Sequence, residues 1–191
     1  MSGICGLFNL DGAPATGADL AAMTFLLRRH APDSDDRWHK GPVGLGHGKK
    51  VHLNLETGCA VTADVRLDNR DELIAAVGDI GMSANASDTT LVLLAYLKWG
   101  EDCASRLLGD FAFAIWDPRH QKLFCVRDGF GMRPFYYHHA RGKRFVFGSN
   151  PRSLHVLPQV PHRLNDGRIA DFLVPELQWI DYTSTFFEEV F

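Results

Sequence analysis

The sequence predicts an α+β domain, on three observations: an apolar strand-like run at its start, two helical patterns in its middle, and four short strand-like runs after residue 110. Strands at both ends with helices between them fit sheets and helices packed in layers.

The elements follow in order. Residues 3 to 9 are short and apolar, and Asp11-Gly12 supplies a turn, so a strand runs into a loop. Residues 19 to 29 carry Leu20, Met23, Leu26 and Leu27 at helical spacing, with arginines in the last turn where the helix dipole favours them; Ala31-Pro32-Asp33 stops the helix. Residues 34 to 48 are polar and glycine-rich and read as a loop with a short strand around Val43-Gly44-Leu45; Asp33, Asp35 and Asp36 offer carboxylate ligands, but solvated loop residues are the expected reading. Residues 59 to 65 alternate as a strand does, Asp68-Asn69 turns the chain, and residues 71 to 77 form a short helix. Ser87-Asp88 stands at an N-cap ahead of a longer helix through Trp99, closed by Gly100. The runs 111 to 116, 122 to 126, 134 to 137 and 144 to 147 are separated by Asp117-Pro118, Asp128-Gly129 and Arg141-Gly142, which predicts an antiparallel meander of hairpins. Asp117, Arg127 and Asp128 flank turns, where such residues cap or pair locally. Residues 167 to 174 form a last helix.

A length of 191 residues suits one domain with a sizeable core. The net charge of -3 gives no reason to expect nucleic acid or an anionic membrane as partner, and no apolar run reaches the roughly 18 residues of a membrane span. The first residues lack the basic patch and apolar stretch of a signal peptide, so the expected location is cytoplasmic. Cys5, Cys59, Cys103 and Cys125 form no CxxC pair and read as buried free thiols. The histidines are scattered, and adjacent His138 and His139 face opposite ways on a strand, so no metal site is expected. There is no GxxxxGK[ST] phosphate loop, and Gly129-Phe130-Gly131 lacks the remainder of a dinucleotide site.

Ser2 stands apart. Once the initiator Met is removed, its hydroxyl lies beside its own α-amine, a base with a pKa of about 7.7–8.0. That pattern is common and gains meaning only from what accompanies it. Ser2-Gly-Ile-Cys-Gly-Leu-Phe-Asn-Leu-Asp-Gly12 resembles the CGIxGxxxxDG opening of class II glutamine amidotransferase domains in asparagine synthetases. Arg29-His-Ala-Pro-Asp33 resembles their HRGPD, Asp68-Asn-Arg-Asp-Glu-Leu73 their YNxxEL, and Ser87-Asp88-Thr89 their (S/T)DTE. Leu108-Gly-Asp-Phe-Ala-Phe-Ala-Ile-Trp-Asp117 is similar to LxGxFAFAxWD, and Arg127-Asp-Gly-Phe-Gly-Met-Arg-Pro-Phe-Tyr-Tyr137 to RDxxGxKPLYY. Phe147-Gly-Ser149 echoes FAS, and Thr185 to Val190 matches the segment that ends the domain. The resemblance spans essentially residues 1 to 191 as a single domain. It implies the N-terminal-nucleophile (Ntn) hydrolase fold, a four-layer αββα sandwich of two antiparallel sheets.

The resemblance also marks departures. The family's nucleophile is an N-terminal cysteine, and Ser2 holds that position; a hydroxyl ionises far less readily than a thiol. Cys5 aligns with a variable position and reads as core. The family's NGEIYN lies over residues 64 to 69. Asp64 then puts a carboxylate in place of an oxyanion-hole amide, where one lost donor costs about 2.7–4 kcal/mol. Val65 replaces a glycine and is expected to crowd the approach. Arg66 reverses the charge of the glutamate that holds the substrate ammonium, leaving Asp88 as the retained ammonium position. Lys49 falls near the arginine that clamps the substrate carboxylate, without its bidentate fork. An ion pair of Arg66 with Asp64 or Asp88 is the expected filling of this degenerate pocket.

Two functions stay open. One is a non-hydrolysing domain of an asparagine-synthetase-like ATP-dependent amide ligase, similar to lasso-peptide isopeptide cyclases and β-lactam synthetase. These join an amine to an acyl-adenylate made in a separate domain. The other is a working domain that supplies ammonia from glutamine to an asparagine synthetase. No SGGxDS-type loop occurs in the chain, so Mg-ATP belongs to a synthetase domain beyond residue 191 or on another subunit, with a precursor peptide as a further partner. Residues 186 to 191 hold three aromatics and a valine, so Phe187 or Phe191 is expected to be uncovered or to dock on another chain.

Overall fold

The computed structural model describes residues 3–29, 36–48, 50–78, 86–174, 176 and 183–191. Ser2, Lys49, Asp33 and Asp35 lie outside the described residues. In chain order the elements are β1 (Ile4–Asn9), α1 (Gly17–Phe25), β2 (Asp36–Lys40), β3 (Val43–His47), β4 (His52–Leu53), β5 (Ala60–Leu67), α2 (Arg70–Val77), α3 (Asp88–Trp99), β6 (Gly109–Asp117), β7 (Lys122–Arg127), β8 (Tyr136–Ala140), β9 (Arg144–Gly148), α4 (Pro151–His155) and α5 (Asp166–Leu173). Two antiparallel sheets result, in the orders β2-β3-β1-β9-β8 and β4-β5-β6-β7. No helix among the described residues is long and apolar enough to cross a membrane.

Strand alternation sorts the core into layers. Ile4, Val43, Leu45 and Phe147 of the first sheet pack with Ala60, Ala112, Ala114 and Trp116 of the second, forming the middle of the sandwich. Cys5, Leu7 and Val146 point the other way, against Met23, Leu27 and Leu154 on the helical side. On the far side Val61, Ala63, Phe113 and Ile115 pack with Leu91, Val92 and Ala95 of α3. The expected αββα stacking is therefore present. The buried Thr62 hydroxyl joins the two sheets by donating to the Gly46 carbonyl (3.0 Å).

α3 is bounded by the caps its sequence predicts, whereas the helix expected over residues 19 to 29 is α-helical only to Phe25 and tightens into a 3-10 turn over Leu26–Arg29. The Ser87 hydroxyl accepts from the Thr90 amide, and Gly100 closes α3 at φ +61°. α1 lies directly on β3 because β3 offers glycines. A Cβ at Gly44 would meet Leu20 at 2.7 Å, and one at Gly46 would meet Thr24 at 2.5 Å. β2 was not expected. Its sequence, DRWHK, is polar and sits at a sheet edge paired only to β3, so it lacks the apolar signal of a central strand.

The meander prediction is corrected. β6 pairs with β7 in one sheet, but β8 pairs with β9 in the other, so the four runs form two hairpins on opposite sides of the core. The connection between them is organised by Asp128, which is 6% exposed. Its carboxylate accepts from the amides of Phe111 (3.3 Å), Phe130 (3.1 Å), Met132 (2.9 Å) and Arg133 (3.1 Å). Burial pushes this carboxyl up, and the hydrogen bonds from Met132, Arg133, Phe111 and Phe130 outweigh that, holding it below the ordinary carboxylate range. Arg127 closes the same turn from outside by donating to the carbonyls of Gly131 (2.7 Å) and Arg133 (2.9 Å). At the other turn, Asp117 is held by both the backbone and the guanidinium of Arg119.

The C-terminal residues dock on their own domain. Phe191 and Tyr137 exchange both backbone hydrogen bonds, at 2.8 and 2.9 Å, and their rings stack at 5.5 Å. Nδ1 of buried His138 donates to the Glu189 carbonyl (2.9 Å), while its neighbour His139 is exposed. Val190 is buried, Phe187 is half-buried, and Phe191 keeps 44% of its surface exposed. The expected uncovered aromatic is present at Phe191, on a segment that is otherwise anchored.

Replacing Asp128 with Ala strands several amide donors in a buried turn. We expect a loss of about 3 kcal/mol or more in chemical denaturation, with Asp128→Asn, which keeps one acceptor oxygen, losing less. Equal stability of the wild type and Asp128→Ala would contradict this role. The cysteines give a second check. Cys5, Cys59 and Cys103 are fully buried, whereas Cys125 is partly accessible with its thiol pushed up to about 12 by burial, so Cys125 should react first and slowly with a thiol reagent in the native state and the other three only after unfolding. Fast native labelling of Cys5 would contradict its placement in the core.

Candidate functional site

The start of β1 is clamped between the two strands that flank it. The Gly48 amide donates to the Gly3 carbonyl (2.9 Å), the Ile4 amide to the Ser149 hydroxyl (3.0 Å), and the Ser149 amide to the Ile4 carbonyl (2.9 Å). A side chain at Gly3 would strike Leu27 at 2.7 Å. The chain thus reaches Ser2 from a fixed point at the ends of β3 and β9. Cys5 lies beyond it, with no exposure, in the helix-side core.

Opposite stands β5, which carries Asp64, Val65 and Arg66. Thr62 points between the sheets, so Asp64, two residues on, shares that face, and Val65 takes the other. Asp64 is 6% exposed, and an Arg133 guanidinium nitrogen lies 3.7 Å from its carboxylate. Val65 packs into the cluster beneath α3, beside Leu67 and Phe111. The expectation that Val65 crowds the approach is corrected: strand parity sends its side chain into the helical layer.

The expected pairing of Arg66 with Asp64 or Asp88 is also corrected. Arg66 donates to Asp110 through Nε (3.2 Å) and Nη2 (3.1 Å), and pairs with Asp68. Asp110 is its direct cross-strand partner and Asp68 lies two residues along the same face, so both carboxylates are closer at hand. The pair is exposed and contributes little stability. Gly109 allows β6 to pass this close: at φ +144°, any Cβ there would sit 2.1 Å from the Arg66 carbonyl oxygen.

Asp88 opens α3. It accepts the Leu67 amide (3.0 Å) and forms an ion pair with Arg70, the first residue of α2. Arg70 also donates to the Ala86 carbonyl (2.6 Å), tying the two helix starts together. Asp88, which the resemblance marks as the ammonium position, is thus paired with a guanidinium of the protein.

Sequence reading missed Arg133 and Arg70. Arg133 is the basic residue of the Gly131-Met-Arg-Pro134 run, and its signal was a cation in an otherwise apolar turn. Arg70 had no signal, since its partner lies on another helix. Among the described residues no group of three or more His, Cys, Asp or Glu side chains is placed to hold a metal ion.

Comparison with known proteins agrees with this architecture. The chain is 31% identical over 156 residues to asparagine synthetase [glutamine-hydrolyzing] 3 of Bacillus subtilis, a match covering 75% of the chain and 25% of that protein. It is 25% identical to putative asparagine synthetase [glutamine-hydrolyzing] 2 of Methanocaldococcus jannaschii, covering 100% of the chain and 42% of that protein. The chain therefore spans less than half the length of either relative. Glutamine phosphoribosylpyrophosphate amidotransferase from B. subtilis, solved with ADP and GMP, superposes with a TM-score of 0.60 at 14% identity over 81% of the chain and 43% of its own, a likeness of fold. That fold is the Ntn-hydrolase sandwich. Residues 67–191 match the glutamine amidotransferase domain family, and the chain belongs to it, as an N-terminal class II domain of the asparagine-synthetase-like kind.

Proposed function

We propose that this domain does not hydrolyse glutamine and instead serves as a non-catalytic part of an ATP-dependent amide ligase. The observation that carries the reading is the ion pair between Asp88 and Arg70. The position that resemblance assigns to the substrate ammonium already holds a cation supplied by the protein. Three departures support it. Ser2 stands where the family has its nucleophilic cysteine. Asp64 brings a buried carboxylate to a position where negative charge would develop, which opposes the reaction that an amide donor assists. Arg66 turns outward to Asp110 and Asp68 and offers a substrate ammonium only repulsion. Lys49 has the charge for a substrate carboxylate but lacks the two-pronged fork.

In this reading the chemistry belongs to a synthetase domain or subunit that binds Mg-ATP, activates a carboxylate as an acyl-adenylate and lets an amine of the same substrate attack it. The lengths of the relatives support such a neighbour, because the chain matches 25% of one and 42% of another. The Met1-Ser-Gly-Ile4 opening and the run from residue 66 to 73 look most like the lasso-peptide cyclase type, with a precursor peptide as substrate. A second reading, a working glutaminase that feeds ammonia to an asparagine synthetase, is favoured by the names of those relatives and by the presence of Asp88.

Glutamate release from glutamine separates the two. The purified chain is expected to give none above background, and Ser2→Cys alone is expected not to restore it, because Asp64, Arg66 and the paired Asp88 remain. A turnover of about 1 per second by the wild type, or full rescue by the single substitution, would overturn the proposal.

A further inference from the structure

We propose that a cleft between α5 and residues 183 to 187, separate from the site above, binds a small organic oxyanion with a flat apolar body. The cleft encloses about 300 Å³. Its walls include Phe135, Tyr136, Phe186 and Phe187, and among the described residues that line it the charged ones are Arg127 and Arg168, with no carboxylate.

Arg168 is the central feature. It sits on the first turn of α5, where its own amide is satisfied by the Asn165 side chain at the N-cap (3.0 Å). Arg168 lines the cleft, and its Nη1 is buried with no hydrogen-bond partner among the described residues. A buried donor on a charged group that makes no hydrogen bond is destabilising, and the planar guanidinium fork matches carboxylate and phosphate oxygens. The nearby Glu188 carboxylate is already paired with Arg163 (3.1 Å). The second cation, Arg127, already holds the Gly131 and Arg133 carbonyls, so it is fixed in place and adds positive potential without having to be ordered by a ligand.

The apolar walls are equally well held. Phe135 stacks on Phe147 at 5.2 Å and 7°, and Phe187 lies against His155 at 4.5 Å. Phe186 meets Phe172 of α5 edge-on at 5.3 Å while leaving 41% of its surface exposed at the mouth. Fixed aromatic surfaces with one convergent cation make a site that takes an aromatic or otherwise flat carboxylate or phosphate ester in preference to a bare inorganic ion. This assignment does not rest on whether the domain hydrolyses glutamine.

The test is calorimetric titration of the 191-residue chain with phenyl phosphate, benzoate, inorganic phosphate, benzyl alcohol and benzylammonium. Phenyl phosphate or benzoate is expected to bind saturably at one site. The stronger of the two assigns the headgroup as phosphate or carboxylate. Inorganic phosphate should bind at least tenfold more weakly, and the neutral and cationic compounds should not bind. Arg168→Met is expected to weaken binding tenfold or more, with Arg168→Lys intermediate. Phe186→Glu, which brings a carboxylate to the mouth from a half-exposed position, should abolish binding even if Arg168→Met fails to fold. Absence of saturable binding by both aromatic anions overturns the proposal. So does binding of benzyl alcohol or inorganic phosphate as tight as that of the aromatic anions, or an Arg168→Met affinity equal to that of the wild type.

Discussion

The turn built around the Asp128 carboxylate is the constraint on which both fold and site depend. A strand that leaves the second sheet must cross to the first within residues 128 to 135, and its amides must be satisfied without a ladder. One buried carboxylate collects those of Phe130, Met132 and Arg133 and also holds the Phe111 amide on β6. Arg127 takes the carbonyls on the outer side. Donors and acceptors of the turn are thus met by two adjacent residues of opposite charge, and β8 starts in the correct sheet as a consequence. The same clamp fixes the main chain at Arg133, whose side chain then reaches Asp64. A fold requirement and the electrostatics of the candidate site share one set of bonds.

That link changes how the Asp64 departure is to be understood. A lone carboxylate in the inter-sheet space would carry a large desolvation penalty, which a guanidinium at 3.7 Å reduces. Arg133 belongs to the turn, so this counter-charge to Asp64 is present for architectural reasons. Where the resemblance is followed residue by residue, Asp64 falls on the position of an amide donor, and the turn lets the scaffold accept a carboxylate there.

Local signals were legible in the sequence and tertiary pairings were not. Ser87 and Gly100 bound α3 as their chemistry predicts, since caps act over three or four residues. β2 escaped detection because an edge strand of polar residues has little hydrophobic alternation to display. The division of β6 to β9 between two sheets could not be read from turn residues, because Asp128-Gly129 signals a turn without saying which neighbour the next strand finds. Val65 shows a different limit. Its position on the outer face followed from parity with Thr62 and Asp64, but aligning the segment as a linear motif treated three consecutive residues as if they faced one pocket. Arg66 chose Asp110 across the strand pair, and Arg70 reached Asp88 on another helix, choices that depend on register and helix packing.

Charge saturation then distinguishes the two clefts. Around the site of family resemblance, each charged side chain that sequence reading singled out among the described residues has a counter-charge from the protein: Asp64 with Arg133, Arg66 with Asp110 and Asp68, Asp88 with Arg70. A zwitterionic amino acid would have to displace these counter-charges, although Arg133 Nε, like Arg168 Nη1, is buried without a hydrogen-bond partner among the described residues. Beside α5 the balance differs. Among the described residues Arg168 Nη1 has no hydrogen-bond partner and no carboxylate lines the cleft, so an incoming oxyanion would meet a cation without a counter-charge. By that comparison, the part of this domain prepared to accept a charged small molecule is the cleft beside α5.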